Sequence, residues 1–507
     1  MTFRTLLPVV ALLAAAALAL PRSAAQPGTK TAPPPGTPPV EAADFLLPDE
    51  SKMTPFRERV PIVFVTSNQP EWKSLKGFWS EGTQNAADPT SGATFAQKVV
   101  KIKVPLGLTQ APVVPAENPM TAEKWVLGKK LYYDKILSTD GTVACASCHS
   151  PTKGFADGRR TSTGINSALG PINSPTVFNT AYNRFQFWDG RGSSLEDQAQ
   201  GPVGNNKEMF GGKGDPWEEA VVRLRADAEY VKAFNRVFGH APTRDAAAKA
   251  VATYERTVLL GNSLDDRAYA QMRARVTEEE SGKFVLKPED YATVLKAELA
   301  AKGPALKDLG LDPEKDAGKV DEVGKRILNG RTLFFDKARC TNCHTGDTYT
   351  DHGFHNLGVG VKDGSLPLDE FGRFVRLATG HKDQTFVGAF KTPGTRGLLW
   401  TAPYMHSGEE KTLEEVVEFY DRGGNVNPWL SEKMRDTAAE AAYVKARAEG
   451  KPVDPAVKTF GPSKKPIIPL KLNLSAQEKA DLVLFLKALN GEPLDPIVAN
   501  PDAFPGR

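Results

Sequence analysis

Cys145-Ala146-Ser147-Cys148-His149 and Cys340-Thr341-Asn342-Cys343-His344 are two copies of one pentapeptide, and together they use all 4 cysteines of the chain. Two thiols separated by two residues, with a histidine directly after, suit a porphyrin. The thiols add across its two vinyl groups, and the histidine is held beneath the iron as proximal ligand. The pattern predicts two covalently bound haem c groups. Cys145, Cys148, Cys340 and Cys343 attach them, and His149 and His344 ligate the irons. Two other readings account for less. A four-thiolate zinc site does not need a histidine after each pair, and about 195 residues between the pairs exceeds the usual zinc spacing. Two disulfides would suit a secreted chain but leave both histidines unexplained.

The residues ahead of each pentapeptide repeat as well. Gly128-Lys129-Lys130-Leu131-Tyr132-Tyr133-Asp134-Lys135 and Gly330-Arg331-Thr332-Leu333-Phe334-Phe335-Asp336-Lys337 share the pattern Gly-x-x-Leu-aromatic-aromatic-Asp-Lys. Each reads as the end of a helix that feeds its haem loop. The duplication predicts a mainly α fold with two cytochrome c-like haem domains, over 118–268 and 326–495. A non-haem extension of unassigned role, 49–117, precedes them. A charged insertion or linker, 269–325, separates them, and 496–507 forms a C-terminal tail. Strand-like runs lie at Val60 to Val65 and Val99 to Val104. Apolar residues recur at helical spacing over Trp217 to Phe238 and Ala246 to Leu260. Thr412-Leu413-Glu414-Glu415 is a capping box that opens a helix with Leu413, Val416, Val417 and Tyr420 on one face, and Ser475 to Glu478 has similar chemistry.

The chain of 507 residues is 40% hydrophobic and 25% charged, ordinary for a globular protein, and too long for a single core. Its formal net charge is +3 and no basic stripe interleaves with aromatics, which argues against nucleic acid as a partner. Arg4, the apolar run Leu6 to Leu20 and Ser23-Ala24-Ala25 read as a signal peptide over 1–25. That run is about 15 residues, short for a membrane span. Export agrees with haem c, which is attached outside the cytoplasm, so the periplasm is expected and no membrane association. Residues 26–48, with Pro33-Pro34-Pro35, read as a flexible or polyproline linker.

Several longer motifs then narrow the reading. They include Leu127 to Asp134, Asn173-Ser174-Pro175-Thr176-Val177-Phe178-Asn179, Gln186-Phe187-Trp188-Asp189-Gly190-Arg191, Leu195-Glu196-Asp197-Gln198-Ala199, Glu208-Met209, Phe354-His355-Asn356-Leu357-Gly358 and Thr401-Ala402-Pro403-Tyr404-Met405-His406. With these, residues from about 118 to 495 resemble the bacterial dihaem cytochrome c peroxidases and their relative MauG. The resemblance implies an oxidoreductase that reduces hydrogen peroxide at an open haem, with electrons relayed through the second. It places Glu208 and Gln198 in the peroxide pocket of the first haem and Trp188 between the two haems. It makes Asn173, Thr401 and Pro403 ligands of a calcium ion, the last two through backbone oxygens. Taken alone, Glu208 reads as a surface acid and Trp188 as a core residue.

Two departures from the family pattern carry consequences. Family peroxidases hold a histidine in the loop before the Asn-x-Pro-Thr run, where it caps the first haem until the second is reduced. Ile165 stands there in this chain and cannot ligate iron, so the first haem is expected open without reductive activation. The second haem of those peroxidases is ligated by methionine, where this chain has Tyr420, as MauG has tyrosine. A phenolate favours more oxidised iron than a thioether does, so a MauG-like high-valent state shared by both haems is implied. Met405 and His406 are rival ligands. The electron source implied is a small periplasmic cytochrome c or cupredoxin, or a protein substrate under modification, and family peroxidases are commonly homodimers. A dihaem oxygenase acting on an organic substrate and a pure dihaem electron-transfer cytochrome are the alternative readings.

Overall fold

A computed structural model describes residues 43–276, 284–362 and 364–505. The expected signal peptide and most of the proline-rich linker lie outside the described residues. The fold is mainly helical, as the sequence predicts. The N-terminal extension opens with β1 (Ile62–Val65), β2 (Trp79–Ala87) and β3 (Thr94–Lys103). They form a sheet of order β1-β3-β2, with β1 parallel and β2 antiparallel to β3. The helices follow in order: α1 (Ala122–Tyr133), α2 (Cys145–Cys148), α3 (Leu195–Gln198), α4 (Pro216–Ala226), α5 (Ala228–Phe238), α6 (Arg244–Glu255) and α7 (Leu264–Arg275). The later set is α8 (Pro288–Ala301), α9 (Ala305–Leu309), α10 (Val320–Phe335), α11 (Leu413–Asp421), α12 (Thr437–Ala448), α13 (Ala476–Ala488) and α14 (Pro496–Ala499).

Side-chain caps set many of these boundaries. The Thr121 hydroxyl accepts from the Lys124 amide at the start of α1, and Asp215 accepts from the amides of Trp217 and Glu218 at the start of α4. Asp227 divides the apolar run Trp217 to Phe238. It adopts extended backbone, ends α4, and its carboxylate caps α5 through the amides of Glu229 and Tyr230. Thr412 with Glu415 and Ser475 with Glu478 form the two predicted capping boxes, opening α11 and α13.

The repeated octapeptide ends α1 in the first half and α10 in the second, and its glycine explains why the halves pack alike. A Cβ on Gly128 would overlap the carbonyl oxygen of Ala250 on α6, and one on Gly330 would overlap that of Asp481 on α13. Each repeat therefore lays its feeder helix directly on the backbone of a partner helix, a contact only glycine permits. The first core gathers Trp125, Leu131, Tyr132, Tyr230, Phe234 and Tyr254. The extension belongs to it, because Trp79 on β2 packs 4.7 Å from Trp125 and Ile102 on β3 is fully buried. The second core joins Ile327, Leu333, Phe334, Leu413, Val417 and Phe485.

The charged segment 269–325 contributes α8, whose Tyr291, Val294 and Leu295 enter that second core; Glu289 and Lys296 face outward, while the buried Asp290 and Glu298 pair with Arg275 and Arg267. The C-terminal residues return to the first half. Val498 on α14 is part of the first core, and the buried Lys129 ammonium donates to the carbonyls of Ile497, Asn500 and Ala503 at 2.7, 2.7 and 2.5 Å. An ammonium with three carbonyl partners is satisfied in an otherwise apolar setting, although burial lowers its pKa to about 8.

Candidate functional site

One continuous cavity runs between the two pentapeptides. It is lined by Cys148 and His149 from the first and by Cys340, Cys343 and His344 from the second. Each histidine is fixed through Nδ1. His149 Nδ1 lies 3.1 Å from the Ser174 hydroxyl, and His344 Nδ1 lies 2.9 Å from the Tyr349 carbonyl. That arrangement leaves Nε2 as the ligating nitrogen. Burial lowers the pKa of both imidazoles, which keeps them in the neutral form a metal requires. Phe334, Leu413, Val416, Val417, Leu482 and Leu486 supply apolar wall around the second pentapeptide. Paired thiols, a neutral imidazole with a free Nε2 and an apolar cavity fit a covalent haem in each half.

The other predicted residues converge on the same cavity. Gln198, Glu208, Trp188, Asn173, Thr401, Pro403 and Tyr420 all line it. Cys145 alone does not; it sits one helical turn from Cys148 on α2 and packs against the first core. Gln198 closes α3, which begins at the Ser194 cap. Glu208 follows a tight turn in which the Asn205 carbonyl accepts the amides of Glu208, Met209 and Phe210. The Asn205 side-chain amide also donates to the Glu208 carboxylate. Burial raises the pKa of Glu208, opposed by the nearby Arg191 guanidinium and by the Asn205 bond. Ile165 is buried beside it, its amide donating to the Glu208 carbonyl at 2.9 Å.

Trp188 is held by both halves of the chain. Its indole N–H donates to the Asn173 carbonyl at 2.9 Å, and its own carbonyl accepts the Lys391 amide at 2.7 Å. The ring lies edge-on to His406, 6.3 Å away, and His406 stacks on Phe390 at 3.5 Å. His406 Nε2 is bonded to the Glu370 carboxylate at 2.6 Å. Asn173 turns its side-chain NH2 to the Arg159 carbonyl at 2.8 Å, which leaves its Oδ1 without a donor. The Thr401 and Pro403 carbonyls likewise accept no hydrogen bond among the described residues. Tyr420 is half-buried on the cavity wall, its hydroxyl making no hydrogen bond among the described residues, and desolvation raises its pKa.

Reading the sequence missed one carboxylate on this wall. Glu255 lines the cavity at the end of α6, where burial raises its pKa to about 8 against the opposing charge of Arg256. Its signal was present: α6 reads Arg-Asp-Ala-Ala-Ala-Lys-Ala-Val-Ala-Thr-Tyr-Glu, and the closing glutamate continues an apolar run.

Two haem-attachment segments facing one cavity, on duplicated helical units, define a dihaem c-type cytochrome. Residues 122–274 match the family described as di-haem cytochrome c peroxidase. The chain is 32% identical over 404 residues to cytochrome-c peroxidase IdrP1 of Pseudomonas sp. (strain SCT), covering 75% of this chain and 84% of that protein. It is 29% identical over 419 residues to the methylamine utilization protein MauG of Methylorubrum extorquens, covering 82% of this chain and 92% of MauG. The solved structure of a MauG-like protein associated with microbial copper homeostasis shares the fold at 28% identity and a TM-score of 0.54, covering 78% of this chain and 97% of that one. The protein belongs to the dihaem cytochrome c peroxidase and MauG family, and it is an oxidoreductase.

Proposed function

We propose that the protein reduces hydrogen peroxide at the first haem, above His149, and that the oxidising equivalents are shared with the second. When bound, the two haems supply the redox chemistry, accepting two oxidising equivalents from peroxide. The protein side chains manage protons and placement. Glu208 takes a proton from the peroxide oxygen nearer the iron and returns it to the outer oxygen, which leaves as water. A carboxyl whose pKa is raised by burial suits both halves of that exchange. Gln198 orients the peroxide or the carboxyl from the same wall. Ile165 leaves the approach to the iron free of a protein ligand.

The observation that carries this reading is the placement of Glu208. A glutamate that would otherwise face solvent lies half-buried on the wall of a cavity containing His149, held by Asn205, with a non-ligating isoleucine on its backbone carbonyl. In the second half, Tyr420 would hold the haem iron together with His344. Its hydroxyl makes no hydrogen bond among the described residues, whereas the Nε2 of His406 is engaged by Glu370. Trp188, clasped by Asn173 and Lys391, gives charge a route between the halves. Asn173 Oδ1 and the carbonyls of Thr401 and Pro403 are hard oxygens suited to a calcium ion. Among the described residues no helix is long and apolar enough to cross a membrane, and we place the protein in the periplasm. Electrons come from a small cytochrome c or cupredoxin, or from a protein side chain undergoing modification.

Electron paramagnetic resonance of the ferric protein tests this, before and after one equivalent of peroxide. One high-spin and one low-spin signal, both lost on peroxide, are expected. Two low-spin signals indifferent to peroxide would overturn it.

A further inference from the structure

Tyr349 stands on the proximal side of the second site. Its carbonyl receives His344 Nδ1, and its ring packs edge-on to Phe334, with centroids 6.0 Å apart. Its hydroxyl donates to Asp265 Oδ2 at 2.9 Å. The other oxygen of Asp265 accepts from the Tyr291 hydroxyl and, at 3.1 Å, from Arg331 Nε. Tyr349 is 7% exposed, Asp265 4% and Tyr291 1%, so the cluster is closed to water.

The first half builds the same turn without a phenol. The carbonyl of Phe155 hydrogen-bonds His149, and Phe155 and Tyr349 share a left-handed backbone, with φ of 53° and 54°. The hydroxyl is therefore not required to position the proximal histidine. The nearest phenol in the first half, Tyr132, donates instead to the His149 carbonyl at 2.7 Å. The difference is chemical. A tyrosine that loses an electron must also lose its phenolic proton, because the oxidised phenol is a very strong acid. A backbone carbonyl cannot take that proton. A carboxylate can.

We infer that Tyr349 is a redox-active tyrosine. It gives one electron to one of the two oxidising equivalents that peroxide leaves on the protein, while its proton passes to Asp265 along the existing hydrogen bond. This rests on the peroxide reading above. One phenolic O–H bond breaks, one carboxylic O–H bond forms, the electron cancels one oxidising equivalent, and a neutral tyrosyl radical remains. A later one-electron reduction returns the proton from Asp265 to the phenol. Arg331 pairs with Asp265, and Arg396, whose guanidinium lies 5.4 Å from the Tyr349 ring, pairs with Asp266, so the charges around the phenol balance and the proton that leaves it stays within a closed network. The second half thereby holds an oxidising equivalent on the protein when no donor is at hand.

The test uses the full-length, haem-loaded protein mixed with one equivalent of peroxide and freeze-quenched for paramagnetic resonance. A tyrosyl signal is expected as the oxidised haem signals recover. Tyr349→Phe, which copies the first half, should lose that signal while the haem spectra still respond to peroxide. Asp265→Asn, which keeps an acceptor oxygen but cannot take the proton, should lose it too, and Tyr291→Phe should retain it. A tyrosyl signal that survives Tyr349→Phe, or no such signal in a wild-type protein that visibly reacts with peroxide, overturns the inference. Haem spectra indifferent to peroxide would instead sink the peroxide reading itself.

Discussion

The indole N–H of Trp188 donates to the backbone carbonyl of Asn173 at 2.9 Å, which ties an aromatic on the wall of the shared cavity to a candidate calcium ligand. The amide of Asn173 in turn donates to the His406 carbonyl at 2.7 Å, so the indole, the calcium position and the second half form one framework. A carbonyl accepts the hydrogen bond but is too weak a base to take the proton, so a Trp188 that loses an electron would keep it. Trp188→Phe retains an aromatic ring but removes the hydrogen bond and the readily oxidised indole. It should cost about 1 kcal/mol of stability. Peroxide should still be consumed at the first site, while the low-spin signal of the second persists. Loss of both signals at the wild-type rate, followed by freeze-quench resonance, would show that charge takes another path.

Glu208 must be ionised to accept the first proton of peroxide. Burial raises its pKa above the ordinary carboxylate value. The rate of the peroxide reaction should therefore rise with pH through that raised value and level off above it. Glu208→Gln should lower the rate by about 10²–10⁴-fold and flatten the profile. Stopped-flow absorbance from pH 4 to pH 8 measures both, and a Gln variant that keeps the wild-type profile would remove Glu208 from the proton transfer.

Legibility of the site followed the range of the interactions. The haem attachments were readable because Cys-x-x-Cys-His is set by bond lengths within five residues. The capping boxes at Thr412 and Ser475 were equally local. The break at Asp227 was not foreseen, because Trp217 to Phe238 keeps its apolar period across one extended residue. Glu208 was assigned only through the family motif. Its burial depends on the turn at Asn205, which brings distant chain onto His149. Glu255 closes an apolar helical run and so left a local trace, whereas the Tyr349–Asp265 pair, 84 residues apart in sequence, is a tertiary fact with no local signature. The strand-like runs Val60 to Val65 and Val99 to Val104 marked β1 and β3, but β2 was not foreseen, nor that Trp79 on it would pack on Trp125 and merge the extension with the first core.

Glu255 gives the fold a pH dependence of definite sign. Its pKa is raised from 4.5 to about 8, so between those values the folded chain holds a proton that the unfolded chain has released. Stability contributed by the neutral carboxyl is complete at low pH and declines as pH rises through this window. Glu255→Gln removes the decline and should stabilise the protein at pH 8 by about 1–3 kcal/mol. Melting temperatures measured from pH 5 to pH 8 should fall for the wild type relative to the variant. Parallel curves would mean the carboxyl is paired in solution.

Gly128 and Gly330 are predicted to be equivalent in their intolerance of a side chain. Gly330→Ala drives a methyl group into the Asp481 carbonyl, and Gly128→Ala does the same at Ala250. Overpacking of this kind costs about 1–3 kcal/mol. Because the contacts lie in separate cores, the two losses should add in the double variant. Urea unfolding of both single variants and the double checks this. Unchanged stability in Gly330→Ala would mean that α10 and α13 can separate without penalty, which the duplicated packing denies.

Tyr420 offers the sharpest chemical contrast between readings of the second site. Its hydroxyl makes no hydrogen bond among the described residues and burial favours the phenol, so proton loss there requires a metal to compensate. Tyr420→Met replaces a hard anionic oxygen with a soft neutral sulfur on the same face of α11, beside Leu413 and Val417. A thioether favours the reduced iron, so the potential of the second haem should rise and its share of the oxidising equivalents should shrink. Spectroelectrochemical titration reads the first effect and freeze-quench resonance after peroxide reads the second. If neither changes, Met405 or His406 holds the iron instead. His406→Ala would then separate them, because it should collapse a His406-ligated centre and leave a Met405-ligated one unaltered.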